Sequence, residues 1–232
     1  MDEDNLLDLM SSDDKPFKSM SNDKKEGKEE NLYDSTDIKA VKVDPSEFKS
    51  TGKYFTIAHT IRESMPENYM EKILGIAKIL FSKGYILRTT NDSNDEVLKN
   101  IRELEVKKLE LFLPWKPKNA KELTGVTMFK PNKLGYGVAK NSHKIFDKLH
   151  PAFRANLSAK VHTLLGPDVN APVKFVIGYN ETGSEGFVKN MDFKKEGDLT
   201  FYFKVCGDSN IPIFNIKNDD AIKRLSEVIK KD

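Results

Sequence analysis

The sequence predicts an α/β protein, a parallel sheet covered on both faces by helices. Three observations predict it. Apolar, strand-like runs alternate with helix-like stretches from Lys53 to the carboxyl end. The helix-like stretches carry apolar stripes at a period of 3.6. Four strand-like runs each end in a polar loop: YFTIAHT before IRESMPEN, GYILRTT before NDSNDE, KLELFLPW before KPKN, and VKFVIGYN before ETGSEG. In an open parallel sheet such loops gather along the carboxyl edge of the strands, where ligands bind.

The elements come in this order. Tyr54 to Thr60 reads as a first strand, with Phe55, Ile57 and the small Ala58 suited to a buried sheet. Pro66 stands in the first turn of a helix, where its missing N–H costs little. Ile73, Leu74, Ile76, Ala77, Leu80 and Phe81 form that helix's apolar stripe, and Lys83-Gly84 closes it with a base and then a glycine. Tyr85, Ile86 and Leu87 begin a second strand. Asn94 or Asp95 can cap a second helix carrying Val97, Leu98, Ile101 and Leu104. Leu109, Leu111 and Leu113 alternate in a third strand that Pro114 ends. Pro117, Gly125, Pro131, Gly135 and Gly137 then predict an irregular insertion over residues 116–140. One helix centres on Ile145, Phe146 and Leu149, and another runs from Ala152 to Leu165. Val173 to Tyr179 and Ile211 to Ile216 are further buried strands. A last helix carries Ala221, Ile222, Leu225, Val228 and Ile229.

Composition bounds the function. The 232 residues are 38% hydrophobic, enough for a core, and 32% charged. No apolar run approaches the roughly 20 residues of a membrane span. The opening MDEDNLLDLM has acids where a signal peptide needs bases. The lone Cys206 excludes an internal disulfide, and no His or acid stands at metal-ligand spacing with it. These features fit a reducing host cytoplasm, or a virus particle assembled there. The net charge of +2 conceals an asymmetry: residues 1–50 hold 14 acids and 8 bases, a net −6, which leaves +8 on residues 51–232. The arm of residues 1–50 is predicted to be disordered over most of its length, because it has too little apolar surface to offset ordering entropy. Its island Leu6, Leu7, Leu9 and Met10 suits docking into a protein partner's groove. An acidic arm on a basic body suits either a polyanion-binding surface or plain solvation.

Particular motifs then stand in a telling order. Thr60-Ile61-Arg62-Glu63-Ser64-Met65-Pro66 follows the first strand, and Gly84-Tyr85-Ile86-Leu87-Arg88 forms the second. Leu113-Pro114-Trp115-Lys116 ends the third, His150-Pro151 opens a helix, and Leu165-Gly166-Pro167-Asp168 closes it. Ile211-Pro212-Ile213-Phe214-Asn215 comes last. Over about 160 residues this order resembles the SLOG superfamily of Rossmann-like proteins, relatives of DprA and the LOG phosphoribohydrolases, in versions that bacteriophages encode. The resemblance implies a Rossmann-like parallel sheet binding a nucleotide or nucleotide-derived ligand at its carboxyl edge. It also implies a helix over Thr200 to Val205, although those residues have strand propensity. With a helix there, Ile211 onward fits as the next parallel strand.

The chemistry of that superfamily is not retained. A phosphate cradle needs glycines so that backbone N–H groups can approach the anion. The loop Thr89 to Glu96 has none and carries Asp92, Asp95 and Glu96. A later glycine cluster is reduced to Gly197-Asp198-Leu199-Thr200. The expectation leans to a non-enzymatic protein acting through macromolecular contact on a degenerate nucleotide-binding scaffold, with a functional nucleotide binder as the alternative and a LOG-like phosphoribohydrolase as the third reading; no catalytic residue, metal or cofactor is assigned. Arg62, Glu63, Arg88 and Trp115 are the ligand candidates: guanidinium can hold phosphate with two bonds, and indole can stack on a base. The competing readings are an internal Arg–Glu ion pair and a tryptophan plugging the core. Lys116, Lys118, Lys121, Lys130 and Lys133, interleaved with Trp115 and Phe129, read first as a solvated loop and second as a track for single-stranded nucleic acid.

Overall fold

Six short apolar runs build one parallel sheet. The computed structural model describes residues 52–59, 65–90, 96–104, 108–116, 125–186 and 199–230. The arm, with Leu6, Leu7, Leu9 and Met10, lies outside the described residues. The described strands are β1 (Tyr54–His59), β2 (Ile86–Thr89), β3 (Leu109–Leu113), β4 (Val126–Phe129), β5 (Phe175–Tyr179) and β6 (Ile213–Asn215). They lie in the order β4-β3-β2-β1-β5-β6, and every neighbouring pair is parallel. This is the Rossmann-like α/β architecture that the sequence predicts.

Helices cover both faces: α1 (Glu67–Ser82), α2 (Glu96–Leu104), α3 (Lys133–Ser142), α4 (Pro151–Leu165), α5 (Leu199–Asp208) and α6 (Ala221–Lys230). Strand side chains alternate between faces, so the core falls into two layers. Phe55, Ile57, Leu87, Leu109, Phe175, Ile177 and Phe214 pack with Ile73, Ala77 and Leu80 of α1, Ile101 of α2 and Leu225 of α6. On the other face Ala58, Val176 and Ile213 pack with Val138 of α3, Val161 and Leu164 of α4, and Phe203 and Val205 of α5. Each such fully buried side chain contributes about 1.5–3 kcal/mol.

Part of the expected insertion at 116–140 is regular structure. Val126–Phe129 is the edge strand β4, and Lys133–Ser142 is α3. Asn132 caps α3 by accepting from Gly135 N at 3.1 Å, and its amide donates to Pro167 O at 2.8 Å. The helix expected around Ile145, Phe146 and Leu149 is a single 3-10 turn, Phe146–Lys148. Leu199–Asp208 is a helix despite its β-forming residues, as the resemblance implies.

Two hydrogen bonds fix the direction of α4. Val173 N donates to Leu164 O, and Thr56 Oγ1 to Thr163 O, so the carboxyl end of α4 lies beside the starts of β5 and β1. The helix therefore runs back against the strands, and its amino end points toward their carboxyl side. Gly166, at φ 77° and ψ −178°, turns the chain after it in a conformation essentially restricted to glycine.

Candidate functional site

From β1 the chain steps outward through β2, β3 and β4, then returns to the other side of β1 for β5 and β6. The crevice outside the carboxyl ends of β1 and β5 is thus the topological switch point. There His59 is in register with Tyr179, and Tyr69 of α1 packs on Tyr179 with ring centroids 4.8 Å apart. Arg62 and Glu63 follow β1 in sequence and lie outside the described residues.

Arg88 is not at a ligand rim. It points into the face covered by α4 and is only 3% exposed. Its Nε donates to Glu110 Oε2 at 2.8 Å, its Nη1 donates to Ala171 O at 2.6 Å, and the Tyr54 ring lies 3.6 Å beneath the guanidinium. An ion pair does hold Arg88, but its partner is the cross-strand Glu110. The Arg88 cation ties β2, β3, the start of β1 and the turn before β5 together. Arg88 is buried under α4, whereas Trp115 is exposed.

Trp115 follows β3 and is 45% exposed, so it does not plug the core. Lys116 beside it is exposed, as are Lys130 and Lys133. Lys130 N donates to Leu113 O at 2.9 Å, which brings the ends of β3 and β4 to one corner of the carboxyl edge. Lys118 and Lys121 lie outside the described residues.

Sequence reasoning missed a polar network at the ends of β5 and β6. Asn180 and Asn215 are both fully buried. Asn215 Nδ2 donates to Asn180 Oδ1 at 2.8 Å and to Ser184 O at 3.0 Å. Glu185 Oε1 accepts from Asn215 N at 2.9 Å, Asn218 Nδ2 at 3.0 Å and Arg224 Nη2 at 2.7 Å. Asp220 also pairs with Arg224, and the two carboxylates hold its guanidinium even more firmly protonated than usual. The available signal was an asparagine ending each of two buried apolar strands, GYN and IFN. A buried amide must find partners nearby.

Among the described residues, His150, His162 and Cys206 are held in structural settings. His162 is fully buried, and burial lowers its pKa from the ordinary 6.5. Its Nδ1 contacts Gly166 O at 2.9 Å, and a carbonyl only accepts, so Nδ1 carries the proton. His143 is lowered by the same cause. His150 Nδ1 accepts from Ala152 N at 3.3 Å and caps α4. Cys206 is buried among apolar side chains, which pushes its thiol far above the usual range and away from the nucleophilic thiolate. Among the described residues no three His, Cys, Asp or Glu side chains are grouped to hold a metal ion, and no helix is long and apolar enough to cross a membrane. The chain matches no protein-family model, no curated protein and no solved structure.

Proposed function

We propose that this chain is a non-enzymatic, SLOG-like protein of the kind bacteriophages encode, acting through macromolecular contact on a scaffold inherited from nucleotide binders. Its partners are single-stranded nucleic acid or a protein complex, with the acidic arm reaching a protein partner. The observation that carries this reading is how the polar side chains of the sheet and of its carboxyl edge are used. Arg88 is spent on Glu110, Ala171 and Tyr54, and at the ends of β5 and β6 Asn180, Asn215, Glu185 and Arg224 are hydrogen-bonded to one another. Catalysis and phosphate capture both need donors aimed outward. Meanwhile Trp115 and several lysines are exposed on the surface.

A second reading is favoured by the strand order alone: a nucleotide-derived ligand in the β1–β5 crevice, held by Arg62 and Glu63. Two measurements on the full chain separate the readings. For macromolecular contact, a fluorescent oligothymidine should bind with an affinity that falls steeply as salt rises from 50 to 200 mM. For the crevice ligand, a nucleotide panel should raise the melting temperature through the RT ln(1+[L]/Kd) linkage. No oligothymidine binding, together with no protein partner captured by the intact chain, would sink the first reading.

A further inference from the structure

One surface of the body combines dense positive charge with exposed apolar side chains. Between residues 125 and 154 the chain carries six Lys or Arg (Lys130, Lys133, Lys140, Lys144, Lys148 and Arg154), all at least partly exposed, against a single acid, Asp147. That acid is already neutralised, with Lys140 Nζ 3.0 Å from its carboxylate. Lys144 precedes the 3-10 turn that joins α3 to α4 and Lys148 ends it, and both are exposed.

Two large apolar side chains accompany them. Ile145 is 52% exposed, and Phe153, in the first turn of α4, is 65% exposed, the most open large hydrophobic residue described. The turn between them is pinned from below: Phe146 is 1% exposed and meets the Tyr136 ring edge-on at 6.3 Å. An exposed phenylalanine ring and an exposed isoleucine on neighbouring stretches of chain leave in water apolar area that burial would remove. A merely solvated basic face has no use for either. Because α4 runs against the strands, this junction stands on the carboxyl side of the sheet, as do Trp115 and Lys130.

We infer that the α3–α4 junction, with Lys144, Lys148, Ile145 and Phe153, is a docking surface for single-stranded nucleic acid. The inference rests on the macromolecular reading proposed for the chain and names its site. The lysines pair with backbone phosphates. Phe153 offers a flat ring on which an unpaired base stacks, with Ile145 as its apolar flank. A duplex has the same phosphates but keeps its bases stacked inside, so it can satisfy the lysines and not the ring. An acidic protein would satisfy the charge without the regular series of unpaired planar bases that a single strand offers to Phe153.

The test measures binding of the full chain to fluorescent oligothymidine by anisotropy at several salt concentrations. Phe153→Ala should weaken binding about 5- to 100-fold and leave the salt slope unchanged, because stacking releases no counterions. The double variant Lys144→Gln, Lys148→Gln should weaken binding and lower the salt slope by about 1.4, the single-strand value for two phosphate contacts. Ile79→Ala, at an exposed position on α1, should bind as the parent does. Circular dichroism melts of each variant guard against unfolding. If the parent binds and all the variants bind equally well, the inference falls while the general reading stands. If duplex competes as well as single strand, the stacking role falls. If the parent binds no nucleic acid but captures a protein, this surface is not a nucleic-acid site and the general reading survives through that protein.

Discussion

At the scale of single residues, Arg88 shows how a ligand candidate becomes a keystone. Alternation along β2 sends it to the α4 face, where it meets Glu110, Ala171 O and the Tyr54 ring. Its neighbour Gly166 leaves room for it: a Cβ there would come 3.1 Å from Arg88 Nη1. Removing one partner of a buried pair strands the other charge, which costs about 3–5 kcal/mol. Glu110 remains 23% exposed, which places the expected loss for Arg88→Ala at the lower end of that range. Urea denaturation measures it as a lower midpoint with an unchanged slope. The double variant Arg88→Met, Glu110→Leu should recover most of the loss, because well-packed apolar side chains can replace a buried pair. Full stability in Arg88→Ala would refute the keystone role. The cross-strand partner, 22 residues away, was not legible in the sequence. An Arg at the end of a strand reads the same whether it faces solvent or core, and the register that places Glu110 beside it emerges only once the sheet forms.

At the scale of elements, the packing of α3 on α4 hinges on Gly135 and His162. A Cβ at Gly135 would lie 2.2 Å from His162 Nε2, so glycine is what lets the two helices approach so closely. With the proton on Nδ1, Nε2 is a bare acceptor that meets no hydrogen-bonding partner among the described residues. Protonation would bury a second N–H against the Gly135 backbone without an acceptor, and only Asp168 contributes a favouring charge. The sign comes from linkage. His162 titrates lower in the folded state than in the unfolded chain, so below its ordinary 6.5 the unfolded chain binds more protons. Stability should therefore fall as pH drops from about 6.5 to the lowered folded value, then level off with respect to this group. Denaturation midpoints between pH 7.5 and 5 check this, and His162→Gln should flatten part of the slope; identical profiles for the two proteins would refute it. Elements built from long stripes or continuous apolar runs were legible: α1, β1, β3 and β5. Those missed have local reasons. α3 carries Gly135 and Gly137, each about 1 kcal/mol worse than alanine in a helix, and only the close fit against α4 and its surroundings makes a helix of it. β4 is four residues at the sheet edge, too short for a period to register.

At the scale of the whole molecule, charge is divided in a way that bears on association more than on folding. The body carries +8 and the arm −6. A field steering a polyanion reaches about 30 Å at 10 mM salt but only about 8 Å at 150 mM. The arm therefore reduces the long-range attraction of the body most strongly at low salt, whatever short-range contacts form at the α3–α4 junction. Converting Asp2, Glu3, Asp4, Asp8, Asp13 and Asp14 to their amides leaves eight acids against eight bases in residues 1–50 and raises the net charge from +2 to +8. The island Leu6, Leu7, Leu9 and Met10 stays intact, so docking of an apolar segment on a partner is not removed along with the charge. Stopped-flow association with oligothymidine should accelerate several-fold at 10 mM salt and converge on the parent rate near 150 mM, because steering acts on encounter and is screened. Dissociation should change little, since the contacts in the bound complex are the same. A low-salt association rate equal to the parent's would mean that the arm's acids do not temper the body's field, and that the division of charge serves solvation alone.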